Sequence, residues 1–122
     1  MWEILFRHPD FVAINKPCGV SIHQEEGEVS LTQTLAAQLG LKQVWLLHRL
    51  DKLTSGVLLF ALNPQSASAL AQQFAAKTMR KTYLALGTDK PSKKQGWIKG
   101  DMEKSRRGTW KLMRNIGNPA VT

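Results

Sequence analysis

The sequence predicts an α+β fold in which helices pack on a mixed, mainly antiparallel β-sheet. Two kinds of pattern support this class. Short apolar segments bounded by polar residues, Pro or Gly have the length of strands, and two longer segments repeat apolar residues at helical spacing. With 122 residues, of which 43% are hydrophobic and 21% charged, the chain has the size and composition of a single globular domain.

The N-terminal segments predict a β-hairpin. Residues 4–6 and 11–15 are apolar and short, and a turn-like His-Pro-Asp sequence separates them. The second of these strands is expected to end at Lys16 and Pro17.

Two segments carry the start signals of helices. Ser30 followed by Gln33 forms a capping box, and Gly40 ends the apolar periodicity that follows, so the first helix is predicted over residues 30–39. Asn63 is a suitable N-cap, and Pro64 suits the first position of a second helix. Apolar residues at steps of three and four then predict a helix face that packs on the sheet: Ala67, Leu70, Ala71, Phe74 and Ala75.

Further strands are predicted on both sides of the second helix. Residues 44–47 form a short apolar segment, and residues 57–62 lack polar alternation, as expected for a central strand with both faces covered. Residues 79–88 are predicted as a returning strand that places Lys81 and Tyr83 on one face.

The C-terminal third predicts an exposed loop followed by a second hairpin. Residues 88–95 are polar and rich in turn formers. Residues 97–99 and 108–113 are expected to pair around residues 103–107, whose basic tip suits a phosphate backbone.

The charge balance predicts a polyanionic partner. The chain has 17 Lys and Arg residues against 9 Asp and Glu residues, a formal net charge of +8, and the excess is concentrated in residues 77–114. Such a domain is expected to bind nucleic acid, although a charge run is most often only a solvated surface. Tyr83, Trp97 and Trp110 interleave with the basic residues, which favours RNA because bases stack on aromatic rings.

The start of the chain and its cysteine content predict a cytoplasmic location. Residues 1–6 lack the basic start and long apolar region of a signal peptide, and no apolar run has membrane-spanning length. A single cysteine, Cys18, cannot form an intramolecular disulfide, which fits a reducing compartment. A catalytic thiolate is the less favoured interpretation, because a free cysteine more often behaves as a small hydrophobe.

Residues 48–56 form a polar loop between two apolar segments and are the candidate site. The anionic form of Asp51 is favoured if Arg49 and Lys52 lie near it, and the carboxylate could act as nucleophile, general base or metal ligand. A metal site needs several convergent ligands and only His48 is near, so metal binding is discounted. The alternative is purely structural, with Asp51 and its hydroxyl neighbours tightening a turn.

Three motifs in order give the chain a resemblance to a known family. They are His-Arg-Leu-Asp with Thr-Ser-Gly in residues 48–56, Asn-Lys-Pro-Cys-Gly in residues 15–19, and Lys-Thr-Tyr-Leu-Ala in residues 81–85. Together they closely resemble the signature of the RluA-type pseudouridine synthase family. The resemblance implies isomerisation of a uridine to pseudouridine in tRNA or rRNA, without any cofactor or metal.

The resemblance also implies roles for individual residues. Asp51 is expected to be the catalytic carboxylate, Tyr83 to pack against the target base, and Arg49 to fill the space left by the flipped uridine. RNA contacts or active-site electrostatics are expected from three further residues, namely Lys16, Arg80 and Lys81. His48 is expected to support the loop, either through a hydrogen bond or through an RNA phosphate contact. Three residues are expected to shape the turn: Thr54, Ser55 and Gly56.

Relatives in this family continue beyond the region of Thr122. The resemblance therefore implies that residues 1–122 are one incomplete catalytic domain without a separate N-terminal RNA-binding domain. The segment that would supply an arginine partner for Asp51 has no match in this sequence. The full-length enzyme is expected to be a monomer, whereas a partial sheet with an uncovered edge is expected to be prone to self-association.

Two other functions stay open from the sequence. One is a basic RNA-binding module without catalysis, favoured by the net charge of +8 and by the missing arginine segment. The other is a phosphotransferase that uses Asp51 as an aspartyl nucleophile. It is weakly supported, because no other carboxylates are evidently placed to hold magnesium.

Overall fold

The computed structural model describes residues 1–22, 27, 29–90, 92, 99–100, 102–104, 110–112 and 120–121. The chain divides into two compact units, Met1–Thr82 and Tyr83–Thr122. Organisation as one domain stays a prediction. Within the described ranges, no helix combines the length and the apolar character needed to cross a membrane.

A four-stranded antiparallel sheet forms the frame of the first unit. Its strands are β1 (Glu3–Arg7), β2 (Phe11–Lys16), β3 (Trp45–Leu46) and β4 (Gly56–Ala61), in the order β1-β2-β4-β3. The predicted N-terminal hairpin and the predicted central strand are confirmed. The register of β2 against β4 places Lys16 opposite Gly56. The motif after β2 and the motif before β4 therefore lie at the same end of the sheet.

Strand β1 is an exposed and irregular edge. All five of its residues are exposed. The pairing register with β2 shifts between Ile4 and Phe6, which makes Leu5 the extra residue of a β-bulge.

The hydrophobic core covers one face of this sheet. Alternate residues of β2 and β4 pack with the helix α1 (Leu31–Gln38) and with the connecting segments in a single buried cluster: Val12, Ile14, Leu58, Phe60, Leu31, Leu35, Ala36, Ile22, Val44 and Leu50. The other face of β4 is covered less, since Val57 is 55% exposed and Leu59 is half-buried. The prediction that both faces of this strand are covered is therefore correct for only one of them.

Both helices begin where the sequence predicts. The Ser30 hydroxyl accepts from the Gln33 amide at 3.3 Å, and the Gln33 side chain accepts from the Ser30 amide at 3.3 Å, which completes the capping box of α1. Helix α2 (Pro64–Ala75) begins after Asn63, whose side-chain oxygen accepts from the Ser66 amide at 2.8 Å. Helix α2 contacts β3 and β4, yet none of its residues is buried.

Both helices also end in a Schellman motif, with one residue in the left-handed conformation. That residue is Gly40 after α1, with φ +71°, and Lys77 after α2, with φ 57°. In each case its amide and the following amide donate to carbonyls of the last helical turn. The same backbone geometry is thus adopted by glycine after α1 and by lysine after α2, although the left-handed region is unfavourable for a residue with a Cβ atom.

The predicted strand over residues 79–88 does not form. None of these residues is assigned to a strand, and Leu84 and Leu86 are fully exposed. A strand exists only where a neighbour completes its hydrogen-bond ladder, and no described strand pairs with this segment. The sequence of this segment therefore has the side-chain alternation of a strand, but no described strand pairs with it.

Two short antiparallel strand pairs lie in the described part of the second unit. Strand β5 (Lys99–Gly100) pairs with β8 (Ala120–Val121), and β6 (Met102–Lys104) pairs with β7 (Trp110–Leu112). The strand that pairs with β7 is β6 and not the predicted segment of residues 97–99. The register places Lys104 opposite Trp110, and this register decides which residues oppose β7. Of the predicted basic tip, residues 105–107 lie outside the described residues, as do residues 97–98.

The two left-handed positions give a matched stability prediction. An added Cβ at Gly40 would meet nothing within 4 Å, so Gly40→Ala carries only the backbone penalty and should lower the free energy of unfolding by about 1 kcal/mol. Lys77→Gly removes the same backbone penalty and should raise the free energy of unfolding by up to about 1 kcal/mol. Urea unfolding of both variants measures the two effects, and a change of the same sign in both would contradict this account.

Candidate active site

The loop between β3 and β4 presents its polar residues outward because one apolar residue anchors it. Leu50 is buried in the core cluster, while Arg49 and Asp51 on either side of it are exposed. The Thr54 amide donates to the Asp51 carbonyl at 3.0 Å, which closes a tight turn directly after the carboxylate. The Asp51 carboxylate therefore faces solvent from a backbone that is fixed on both sides.

The segment that follows β2 clamps this loop. The Gly19 amide donates to the Lys52 carbonyl at 2.8 Å, and the Cys18 thiol contacts the Leu53 carbonyl at 3.2 Å. Gly19 has φ +87°, a conformation that favours glycine and turns its amide toward the loop. The Asn-Lys-Pro-Cys-Gly motif thus holds the loop by contacting the backbone carbonyls of Lys52 and Leu53, directly after the His-Arg-Leu-Asp residues.

Lys16 is the centre of this clamp. Its side chain is 0% exposed, and its Nζ donates to three carbonyls, those of Pro17 at 3.1 Å, Val20 at 2.7 Å and Lys52 at 3.1 Å. Three acceptors require three N–H groups, which only the charged ammonium has. Burial lowers the pKa of Lys16, and electrostatic interactions with Cys18 and Asp51 oppose that effect by raising it.

The burial of Lys16 does not fit the predicted RNA contact. A fully buried ammonium with three carbonyl partners has no surface to offer a phosphate group. The other predicted role, active-site electrostatics, is compatible with burial. The structure places Lys16 beneath the loop, close enough to Asp51 for the carboxylate to act on its pKa.

His48 holds the other end of the loop. Its Nε2 accepts from the Leu59 amide of β4 at 3.0 Å, and its ring stacks on Phe74 of α2 with 4.9 Å between centroids and 17° between planes. Burial lowers the pKa of His48, and the positive charge of Lys81 lowers it further. Of the two predicted roles, the geometry fits support of the loop and does not fit a phosphate contact.

The other predicted RNA-binding residues of the first unit lie at the surface. Arg49, Arg80 and Lys81 are all exposed. The Lys81 Nζ lies 5.4 Å from the centroid of the Phe74 ring, so the ring that stacks on His48 also carries a cation. Tyr83 belongs to the second unit and is 58% exposed, which leaves an aromatic face accessible.

Of the three predicted turn residues, two have a geometric role. The amide of Thr54 closes the turn, and Gly56 has φ +133°, where any other residue would be strained. Ser55 is exposed. Among the described residues, no group of three or more His, Cys, Asp or Glu side chains is placed to hold a metal ion.

Two parts of this arrangement are not among the predictions from the sequence. Phe74 was assigned only to the helix face toward the sheet, because a contact between residues 26 positions apart leaves no local signal. Leu50 was detectable, since it is an apolar residue that interrupts a run of polar ones. Its position between Arg49 and Asp51 is what separates the exposed side chains from the core.

The Lys16 clamp generates a stability prediction. Lys16→Met keeps much of the side-chain volume but removes the donors of the three carbonyls, and should lower the free energy of unfolding by about 1–3 kcal/mol. Lys42 is exposed, so Lys42→Met is the matched control. This variant should change the free energy of unfolding by less than about 0.5 kcal/mol. Equal urea midpoints for the two variants would show that the clamp contributes nothing to stability.

Comparison with known proteins places this arrangement in a family. A family model described as RNA pseudouridylate synthase matches residues 10–122. A Haemophilus influenzae protein named an uncharacterized RNA pseudouridine synthase is 50% identical over 120 residues, 98% of this chain and 54% of that protein. The tRNA pseudouridine synthase C of Pasteurella multocida is 44% identical over 88 residues, 69% of this chain and 36% of that protein.

Solved structures agree in fold. Human RNA Pseudouridylate Synthase Domain Containing 4 superposes with a TM-score of 0.75 at 28% identity, covering 98% of this chain and 50% of that chain. Human RNA Pseudouridylate Synthase Domain Containing 1 gives a TM-score of 0.76 over 99% of this chain and 49% of that chain, and at 24% identity it shows the fold alone. The chain thus spans about half the length of the Haemophilus relative and of both human proteins. The family model matches nearly the whole sequence, and the chain belongs to the RNA pseudouridylate synthase family.

Proposed function

We propose that this chain carries the catalytic carboxylate of an RNA pseudouridine synthase, with Asp51 acting on a uridine of tRNA or rRNA. The observation that carries the proposal is the setting of Asp51. The carboxylate is exposed, whereas Leu50 before it is buried and the carbonyl of Lys52 after it is bound by two donors. A group that reacts with a macromolecular substrate needs both accessibility and a fixed position, and this loop supplies both.

Base extrusion is the first step of the proposal. A stacked base hides its glycosidic bond, so the uridine must leave the RNA stem before Asp51 can reach its sugar. Arg49 is exposed two residues before Asp51, and its guanidinium is suited to occupy the vacated space and to contact phosphate. Tyr83 has the exposed aromatic ring that could pack against the extruded uracil.

Two routes then lead to the same product. In the first, the Asp51 carboxylate attacks C1′ of the ribose, the C1′–N1 bond breaks, and uracil leaves with the bonding electrons. In the second, Asp51 removes a proton from the sugar and uracil is released by elimination. In both, the uracil turns and its C5 forms a bond with C1′. In the first route this bond displaces the Asp51 carboxylate and breaks its ester bond to C1′, and in the second it consumes the sugar double bond while Asp51 returns the proton to the sugar. The proton on C5 is then lost, and N1 gains a proton. All bonds that change lie in the nucleotide or join it to Asp51, so the proposal needs no cofactor.

The names of relatives favour tRNA as the substrate. The Pasteurella multocida relative is named tRNA pseudouridine synthase C, and so is a Vibrio vulnificus protein that is 41% identical over 107 residues. Transfer of that substrate to this chain is part of the proposal, and rRNA is the other outcome. A cytoplasmic location is also part of the proposal, because a single cysteine cannot form an intramolecular disulfide and therefore fits a reducing compartment.

A second candidate is RNA binding without catalysis. The formal net charge of +8 favours it, because a basic domain binds RNA whether or not a reaction follows. This candidate predicts binding that weakens steeply with salt and yields no pseudouridine.

Replacement of the carboxylate tests the proposal. Asp51→Asn should reduce isomerisation at least about a thousandfold, because an amide neither attacks the sugar nor accepts its proton. RNA affinity should stay within about twofold, since few phosphate contacts are lost. Tritium release from tRNA labelled at C5 of uridine measures turnover, and filter binding measures affinity.

The control for this experiment is Asp89→Asn, which makes the same chemical change at another exposed carboxylate. The assay is run on this chain and on this chain joined to the remaining half of the Haemophilus relative. Normal turnover by Asp51→Asn in an active chain would overturn the assignment. Salt-sensitive binding with no release by either length would favour the second candidate instead.

Arg49→Ala should affect both binding and turnover. Loss of the guanidinium removes a phosphate contact and the group proposed to occupy the vacated space, so affinity should fall about tenfold and turnover further. The slope of log affinity against log salt concentration should decrease by about one, as for the loss of a single phosphate contact. An unchanged slope would show that Arg49 does not bind phosphate.

A further inference from the structure

The end of strand β3 is formed by a side chain. In an antiparallel pair, two opposed residues exchange two backbone hydrogen bonds. The Leu47 amide donates to the Leu59 carbonyl at 3.3 Å, but the Leu59 amide donates to the Nε2 of His48 at 3.0 Å. The imidazole therefore takes the place of the backbone carbonyl that would otherwise continue the ladder, and the backbone is free to leave the sheet as the loop.

This hydrogen bond fixes the tautomer of His48. A nitrogen that accepts from an amide carries no hydrogen, so the proton of the neutral ring lies on Nδ1. Nδ1 is buried and has no partner among the described residues. The stack on Phe74, with its 17° interplanar angle, holds the ring in the plane that aims Nε2 at β4.

We propose that His48 is a positioning residue that ends β3 through Nε2 and so sets where the Asp51 loop leaves the sheet. The Phe74 ring, with the Lys81 ammonium at 5.4 Å from its centroid, locks the imidazole in place. The importance of the loop for catalysis rests on the proposed function, whereas the role of His48 in the backbone geometry does not.

The tautomer is the first test. A long-range nitrogen–hydrogen correlation spectrum of the 122-residue chain, recorded above pH 6.5, should show the His48 proton on Nδ1 and an unprotonated Nε2. A proton on Nε2 would exclude acceptance from the Leu59 amide and would overturn the proposal.

Two variants separate the hydrogen bond from the stack. His48→Phe keeps a ring on Phe74 but has no acceptor, so hydrogen exchange of the Leu59 amide should become about tenfold faster. His48→Gln places an amide oxygen near the position of Nε2 and should keep the exchange within about threefold of the parent chain. Equal exchange rates in the two variants would contradict the proposal. If His48→Phe does not fold, the proposal is still tested by the tautomer of His48 in the parent chain and by the exchange rate of the Leu59 amide in His48→Gln.

His8 provides a matched control. It stacks on Phe11 with the same 4.9 Å centroid distance and 17° angle, and its Nδ1 accepts from the Asp10 amide at 3.1 Å, away from the loop. His8→Phe should leave the exchange of the Leu59 amide unchanged. A similar acceleration by this variant would mean that loss of any histidine loosens β4.

The pH dependence of stability follows from the same geometry. The elements packed on the ring present the Leu59 amide and the uncharged Phe74, and Lys81 is the charged group that acts on it. The pKa of His48 lies below its usual 6.5 in the folded state, so the unfolded chain binds the proton more readily below that pH. Stability should therefore fall as the pH drops from 6.5 toward the lowered pKa, and it should fall less in His48→Gln.

Turnover distinguishes positioning from an RNA contact. In whichever chain length releases tritium, His48→Phe should lower kcat about ten- to a hundredfold with KM within about twofold, and His48→Gln should recover most of it. A raised KM with unchanged kcat would indicate a phosphate contact and would overturn the proposal. If no chain length is active, the proposed function fails, while the tautomer and the exchange rates still decide on His48.

Discussion

Three carbonyl oxygens converge on one buried ammonium, and the candidate site depends on that convergence. A charge in a protein core is costly unless hydrogen bonds replace its hydration, so Lys16 tolerates burial only while the carbonyls of Pro17, Val20 and Lys52 stay in place. The antiparallel register makes this feasible, because it sets the end of β2 opposite the start of β4. A single side chain thereby joins two motifs that are more than thirty residues apart.

The loop that carries Asp51 is held differently at its two ends. Beyond Asp51, the ammonium of Lys16 and the amide of Gly19 bind a carbonyl. Before it, the neutral imidazole of His48 binds an amide of β4. At both ends the loop supplies the acceptor, a backbone carbonyl at one end and an imidazole nitrogen at the other, and Leu50 anchors the middle in the core. Arg49 and Asp51, on either side of Leu50, both face solvent, which is the arrangement expected if both act on RNA.

The predictability of each element follows the range of the interactions that create it. The starts of both helices could be predicted because Ser30 and Asn63 act within three residues of themselves. The absence of a strand over residues 79–88 could not be predicted, since a strand depends on a neighbour that the alternation of its own side chains does not specify. The motifs located the Asp51 loop, but the burial of Lys16 and the stack of His48 on Phe74 are tertiary contacts without a local pattern.

The bulge at Leu5 bears on how copies of this chain meet. An exposed edge strand is a template on which a second chain can add, and β1 offers such an edge with apolar side chains at Ile4 and Phe6. The register shift between these two residues breaks the regular spacing of outward amides and carbonyls that an incoming strand would need. Sheet extension and fibre growth across β1 are therefore disfavoured, although its apolar side chains stay available for contacts that do not use the backbone.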